Sequence, residues 1–247
     1  MFDACANDDT GDLARRLRAQ ALLPSGPIGE RQLAAIRAQV QPYASALRPW
    51  REGEPEARAF ELDIDGVRLY GHLDRLYRNG ALRIRLNELH GPAQIAHGID
   101  WLVLSALEDP RPLAQLASFD GEADVRMRAP ISPQHARDAL AALLALRREG
   151  LREPLPIQAR SAWLWYSAPR GDDNADAAAW KVAREQWFGA EKKWGEVDSA
   201  AVQLALRGRD PFLDDADGAR FRALATRLFD AVVLGRVTSG DAVEACA

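Results

Sequence analysis

The chain has 247 residues, 47% hydrophobic and 28% charged, with a formal net charge of −4. That length and apolar content support a folded core and exclude a disordered chain, while the acidic balance excludes a protein that holds nucleic acid by bulk positive charge. Local basic patches stay compatible with it.

The N-terminus carries Asp3, Asp8 and Asp9 and has no apolar stretch of signal-peptide length, and no apolar run approaches the roughly 20 residues of a membrane helix. Cys5 and Cys246 show no CxxC or Cys/His spacing, so neither a disulfide framework nor a structural zinc site is expected. The expected compartment is the cytoplasm.

Leu13, Leu17 and Ala21 follow helical spacing until Leu23-Pro24-Ser25-Gly26-Pro27-Ile28-Gly29-Glu30 interrupts it. Leu33, Ile36, Val40 and Leu47 then mark a second amphipathic helix, with a bend expected at Pro42. Asp65-Gly66 and Asn79-Gly80 are both two-residue hairpin signals and predict a three-stranded meander from about Ala59 to Leu86. The first turn pairs Phe60 with Gly71 and Leu62 with Leu69. A turn centred on Asn79-Gly80 pairs Tyr77 with Leu82 and Asp74 with Arg85. Both registers give one apolar and one polar face.

Pro92 to Leu107 reads as helix, and Leu113 to Arg128 as a further hairpin around Asp120-Gly121. Ser132 followed by Pro133 predicts a capped helix ending at Gly150. Arg170 to Asp176 is an expected loop. Helices are expected over Ser161 to Tyr166, Asp176 to Phe188, Ser199 to Leu206 and Asp217 to Leu234, then a loose tail from Val237.

The chemistry is narrowed by what is missing. The sequence has no Walker A loop, GxGxxG, GxSxG or HExxH motif, and His72, His90, His97 and His135 lack ligand spacing. Trp163, Trp165, Trp180, Trp187 and Trp194 crowd the last third and read as core anchors. Lysine is scarce: of 32 basic residues, Lys181, Lys192 and Lys193 are the lysines. Metal-dependent nucleases of the PD-(D/E)xK type place an Asp on one strand and a (D/E)xK on the next, so that carboxylates hold Mg²⁺ and lysine steadies the attacking water. Asp74 matches the first part, but the following strand offers Arg83 and Arg85 where acid and lysine belong. A cross-strand ion pair between Asp74 and Arg85 is therefore the plain reading, and no metal or cofactor is expected. Glu191-Lys192-Lys193 reads as a solvated helix surface.

Leu22 to Glu30, the Gly71 strand followed by Gly80-Ala81-Leu82-Arg83-Ile84-Arg85, and the helix around Trp101-Leu102 occur in the order found in the RecC C-terminal domain family. So do Arg147-Arg148-Glu149-Gly150 before Pro154-Leu155-Pro156, Ser161-Ala162-Trp163, and the late helix Ala179 to Arg184 with Trp187. The chain resembles that family from about residue 12 to 235. The resemblance implies an α+β, degenerate PD-(D/E)xK nuclease-like fold: an antiparallel meander flanked by helices, with a mainly helical C-terminal third. The expected organisation is a helical lead-in over 1–57, a nuclease-like core over 58–169, a helical part over 170–235 packed on the core, and a tail over 236–247.

RecC is the gamma subunit of bacterial exodeoxyribonuclease V, in which ATPase and nuclease activities belong to other subunits. The resemblance thus implies a non-catalytic domain that helps guide and split DNA in double-strand-break repair, with DNA and the beta and alpha subunits as partners and no membrane. The polar meander face, with Arg68, His72, Arg83 and Arg85, is the expected phosphate contact, and Asp74 is the remnant of a nuclease site. The full subunit is much longer, so the chain reads as a C-terminal piece, from a split gene, a truncated reading frame or an isolated domain. Two alternatives stand beside this: an active Mg²⁺ nuclease built on Asp74, and a non-functional gene fragment.

Overall fold

The structure, a computed structural model, describes residues 10–189 and 194–237. Among these the fold is α+β, mostly helical, with one five-stranded mixed sheet and eight α-helices. The helices are α1 (Thr10–Ala19), α2 (Gly26–Leu47), α3 (Gly91–Ala106), α4 (Pro133–Arg152), α5 (Ala159–Ser167), α6 (Asp173–Phe188), α7 (Ala200–Leu206) and α8 (Asp215–Phe229). The strands are β1 (Glu56–Ile64), β2 (Val67–Tyr77), β3 (Gly80–Glu88), β4 (Leu113–Phe119) and β5 (Glu122–Arg128), in the sheet order β1-β2-β3-β4-β5.

The meander and the later hairpin form as expected, and they join into one sheet because β3 pairs with β4 in parallel. A parallel pair needs a crossover, which α3 supplies. Two of the three tight turns have the geometry their dipeptides demand: Asp65 and Gly66 lie at φ 52° and 70°, Asp120 and Gly121 at 54° and 85°. Residues 120–121 close the register Phe119↔Glu122 through Leu113↔Arg128.

The turn at Asn79-Gly80 departs from its expected register. Tyr77 pairs with Gly80 and Leu76 with Ala81, so Arg78 and Asn79 form the turn, and neither they nor Gly80 has positive φ. Gly80 is small for another reason: a Cβ there would stand 2.7 Å from the Pro112 carbonyl oxygen, the same oxygen that accepts from Ala81 N–H at 2.9 Å. The strand also breaks its alternation. Leu73 and Leu76 are both buried, three residues apart, and Arg75 between them sits at φ 52°, an irregularity that turns the following residues over.

By compactness the described chain divides into two units. The first is the chain up to Phe60 with Tyr70–Leu89 and Arg111–Ala129. Within it α1 and α2 share a core of Leu13, Leu17, Leu23, Leu33, Val40 and Ala44. The far end of α2 and the following turn cover one sheet face, where Leu47, Tyr77, Leu82, Ala114 and Leu116 are buried with Tyr43, Trp50, Ile84 and Val125 against them. Helix α2 runs through Pro42 without ending.

The second unit is Glu61–Leu69, His90–Pro110 and the described chain from Pro130 onward. Its core is aromatic: Trp165, Phe221 and Phe229 are buried, with Trp163, Tyr166, Trp180 and Phe212 packed against them. Trp187 is fully buried beside Val202 and Leu206. Four of the five late tryptophans thus serve as core anchors, whereas Trp194 is 84% exposed. Ser132 caps α4 by accepting from His135 N–H, and the helix continues past Gly150 to Arg152. Helix α6 begins inside the expected loop, capped by Asp172, which accepts from Ala175 N–H. Helix α8 ends in a π-helical turn over Asp230–Leu234. Glu191-Lys192-Lys193, both cysteines and the tail from 238 lie outside the described residues.

Candidate nucleic-acid interface on the meander

Burial sorts the expected site residues into two groups. Arg68 and His72 on β2 are exposed; Arg68 stands 3.2 Å from Glu61. Arg85 on β3 is half-buried and donates through Nε to the Glu88 carbonyl at 2.8 Å. Arg83 departs from the expected solvated face: it is 8% exposed, and its guanidinium donates to the carbonyls of Asp74 at 2.9 Å and Leu82 at 3.0 Å. It also lies 3.6 Å from the Asp74 carboxylate. Asp74 is therefore paired with Arg83, where the sequence register paired it with Arg85. The two-residue difference follows from the turn, which is formed by Arg78-Asn79 and not by Asn79-Gly80.

Arg83 belongs to a polar row that crosses three strands. Its partner on β4 is Gln115, whose partner on β5 is Arg126. Cross-strand partners point to the same side of a sheet, so this row occupies one face. Gln115 is buried and accepts from Arg128 Nε at 3.1 Å. Burial lowers the Arg128 guanidinium to about 10, because a cation taken out of water is disfavoured. Arg126 lies over the Phe119 ring at 3.9 Å and reaches Asp120 at 3.4 Å. The sequence reading missed Gln115, Arg126 and Arg128, since their alignment with Arg83 depends on the parallel β3–β4 pairing, which no local pattern announces.

Chemically, the row sets the Arg83 guanidinium at the Asp74 carboxylate and the Arg126 guanidinium at that of Asp120. A cation positioned at Asp74 opposes a divalent metal there and suits anions or carbonyl oxygens. Among the described residues no group of three His, Cys, Asp or Glu side chains is placed to hold a metal ion. The histidines are spread over separate tasks: His90 caps α3, its Nδ1 accepting from Ala93 N–H at 3.4 Å, His97 is buried in α3, and His135 lies in the first turn of α4. No helix of the described residues is long and apolar enough to cross a membrane.

The RecC C-terminal domain model matches residues 1–170, more than half of the chain. The chain belongs to the RecC C-terminal domain family. Curated relatives agree: it is 26% identical over 204 residues to the RecBCD enzyme subunit RecC of Mycobacterium tuberculosis and 27% over 199 residues to that of Mycolicibacterium smegmatis. Identity to the Buchnera aphidicola RecC subunit is 20% over 211 residues. These alignments take in 81%, 78% and 81% of this chain but 18%, 18% and 19% of the relatives. The chain thus spans less than a fifth of the length of the RecC subunits it matches.

Proposed function

We propose that this chain is a non-catalytic, nuclease-like domain of an exodeoxyribonuclease V gamma subunit that guides DNA and contacts the beta and alpha subunits during recombinational repair. The observation that carries the reading is the Arg83–Asp74 contact. In a PD-(D/E)xK site the strand after the Asp supplies an acid and a lysine; here it supplies an arginine that occupies the Asp74 carbonyl and faces its carboxylate. The succession of a meander, a crossover helix and a parallel strand supports the nuclease-like core proposed for residues 58–169. DNA contact on the meander is proposed for Arg68, His72 and Arg85, while Arg83 acts inside the sheet.

Size-exclusion co-elution with purified alpha and beta subunits, followed by an unwinding assay, tests the assignment. The domain reading expects a complex whose unwinding weakens when Arg68 and Arg85 are both replaced by glutamate. Failure to co-elute with either subunit would contradict it.

A further inference from the structure

Charge is distributed unevenly along the chain. Residues 1–51 hold seven arginines and five acids, a formal +2, against −6 for the remainder. Within the two helices and their connection, residues 10–47, five arginines accompany two carboxylates, Asp12 and Glu30. Arg15, Arg16 and Arg18 on α1 and Arg31 on α2 are exposed, while Leu13 and Leu17 turn inward onto Leu33 and Val40. Arg15 and Arg18 are three residues apart and share a helix face. Arg18 reaches Glu30 at 3.5 Å, which ties the end of α1 to the start of α2 beside Arg31.

The connection between the two helices is closely built. Ala21 at φ 54° closes α1, with Leu22 N–H donating to the Leu17 carbonyl and Ala21 N–H to that of Arg18, both at 3.0 Å. A Cβ at Gly29 would stand 1.8 Å from the Pro24 oxygen, so only glycine fits there. The turn leaves Leu22 and Ile28 exposed at 66% and 65%.

We propose that the α1–α2 hairpin is a sequence-independent phosphate-binding surface that contacts the DNA backbone through Arg15, Arg16, Arg18 and Arg31. The proposal rests on the DNA-guiding reading and extends it to a surface outside the meander. Guanidinium forks bind phosphate bidentately, and a duplex offers one phosphate charge per about 1.7 Å of axis, so a rigid basic hairpin engages it without reading bases.

The test uses the full chain and the triple variant Arg15→Gln, Arg16→Gln, Arg31→Gln. Arg18 is spared so that its contact with Glu30 stays, and glutamine keeps helix propensity. Binding of a fluorescent blunt duplex and of an oligo(dT) strand is measured from about 50 to 200 mM salt, with circular dichroism checking the fold. The triple variant should bind at least about tenfold more weakly at the low end, with a log–log salt slope shallower by about two to three. The pair Arg68→Gln, Arg85→Gln should lose less. If the chain binds DNA and the triple variant binds equally well, the hairpin assignment falls while DNA guiding stands. If the triple variant binds DNA normally but no longer co-elutes with the alpha and beta subunits, the hairpin is a protein-docking surface and the proposal is overturned. Absence of DNA binding by the unaltered chain overturns both readings.

Discussion

The guanidinium of Arg83 stands 2.9 Å from the carbonyl oxygen of Asp74 and 3.6 Å from its carboxylate, and the two ends of this contact differ sharply in burial: the Arg83 side chain is 10% exposed, that of Asp74 71%. The arginine is thus the structural member, because its loss strips buried carbonyls of a donor. Arg83→Ala should cost about 2–3 kcal/mol, from a lost charge-assisted hydrogen bond and unsatisfied buried acceptors. Asp74→Asn leaves the carbonyl contacts intact and should cost under about 1 kcal/mol, as for an exposed ion pair. Urea denaturation of the two variants compares them; equal costs would place the stabilisation in the carboxylate.

Gly80 offers a second asymmetry. If the hairpin depended on positive φ at Asn79 and Gly80, both positions would resist substitution alike. The structure predicts otherwise: Gly80→Ala pushes a Cβ against the Pro112 oxygen and should cost about 1–3 kcal/mol, whereas Asn79→Ala should stay within about 0.5 kcal/mol. Thermal denaturation of both variants decides which role the glycine has.

Helix α3 approaches its neighbours at two glycines. A Cβ at Gly91 would meet the Ala159 oxygen at 1.8 Å, and one at Gly98 the Val232 oxygen at 2.3 Å. Backbone atoms do not move aside as a side-chain tip does, so Gly91→Ala and Gly98→Ala should each cost about 3 kcal/mol or more. A stable, unchanged melting profile for either would show that the helix packs less closely.

Between α4 and α8, Arg220 meets Glu153 and Glu149, and Arg227 donates to Glu149 at 3.0 Å. The hydrogen bond and charge of Arg220 hold the Glu153 carboxyl below its ordinary value of 4.5. A depressed carboxyl binds fewer protons in the folded chain than in the unfolded one, so its stabilising contribution is complete above about pH 4.5 and is lost as pH falls through the depressed value. Arg220→Gln should raise the Glu153 titration midpoint, seen by NMR of its side-chain carbons, and flatten the acid-side fall in stability. A midpoint unmoved by the substitution would assign the shift to another group.

Much of the fold was legible because its signals are local. Asp65-Gly66 and Asp120-Gly121 state their turns in two residues, and Ser132-Pro133 states a cap in two more. What the sequence concealed depends on contacts between distant segments. Gly80 is small for the sake of Pro112, and Gln115 meets Arg83 through a parallel pairing that a crossover helix creates. His90 was missed as a cap because it accepts through an imidazole nitrogen, outside the usual Ser, Thr, Asp and Asn set. The irregularity at Arg75 did leave a trace: Leu73 and Leu76 are apolar at a spacing of three, which a regular strand does not favour. Pairing Asp74 with Arg85 followed from centring the turn on Asn79-Gly80, one residue too far along the chain. The density of arginine before residue 52 was also on the page, concealed by a net charge taken over the whole chain.

A DNA digestion assay tests the proposal that Asp74, facing Arg83, performs no metal-dependent cleavage. The purified chain and its Asp74→Ala variant are incubated with linear duplex and single-stranded DNA, with and without Mg²⁺. Neither protein should give a Mg²⁺-dependent product. Cleavage by the unaltered chain that requires Mg²⁺ and disappears in Asp74→Ala would contradict it.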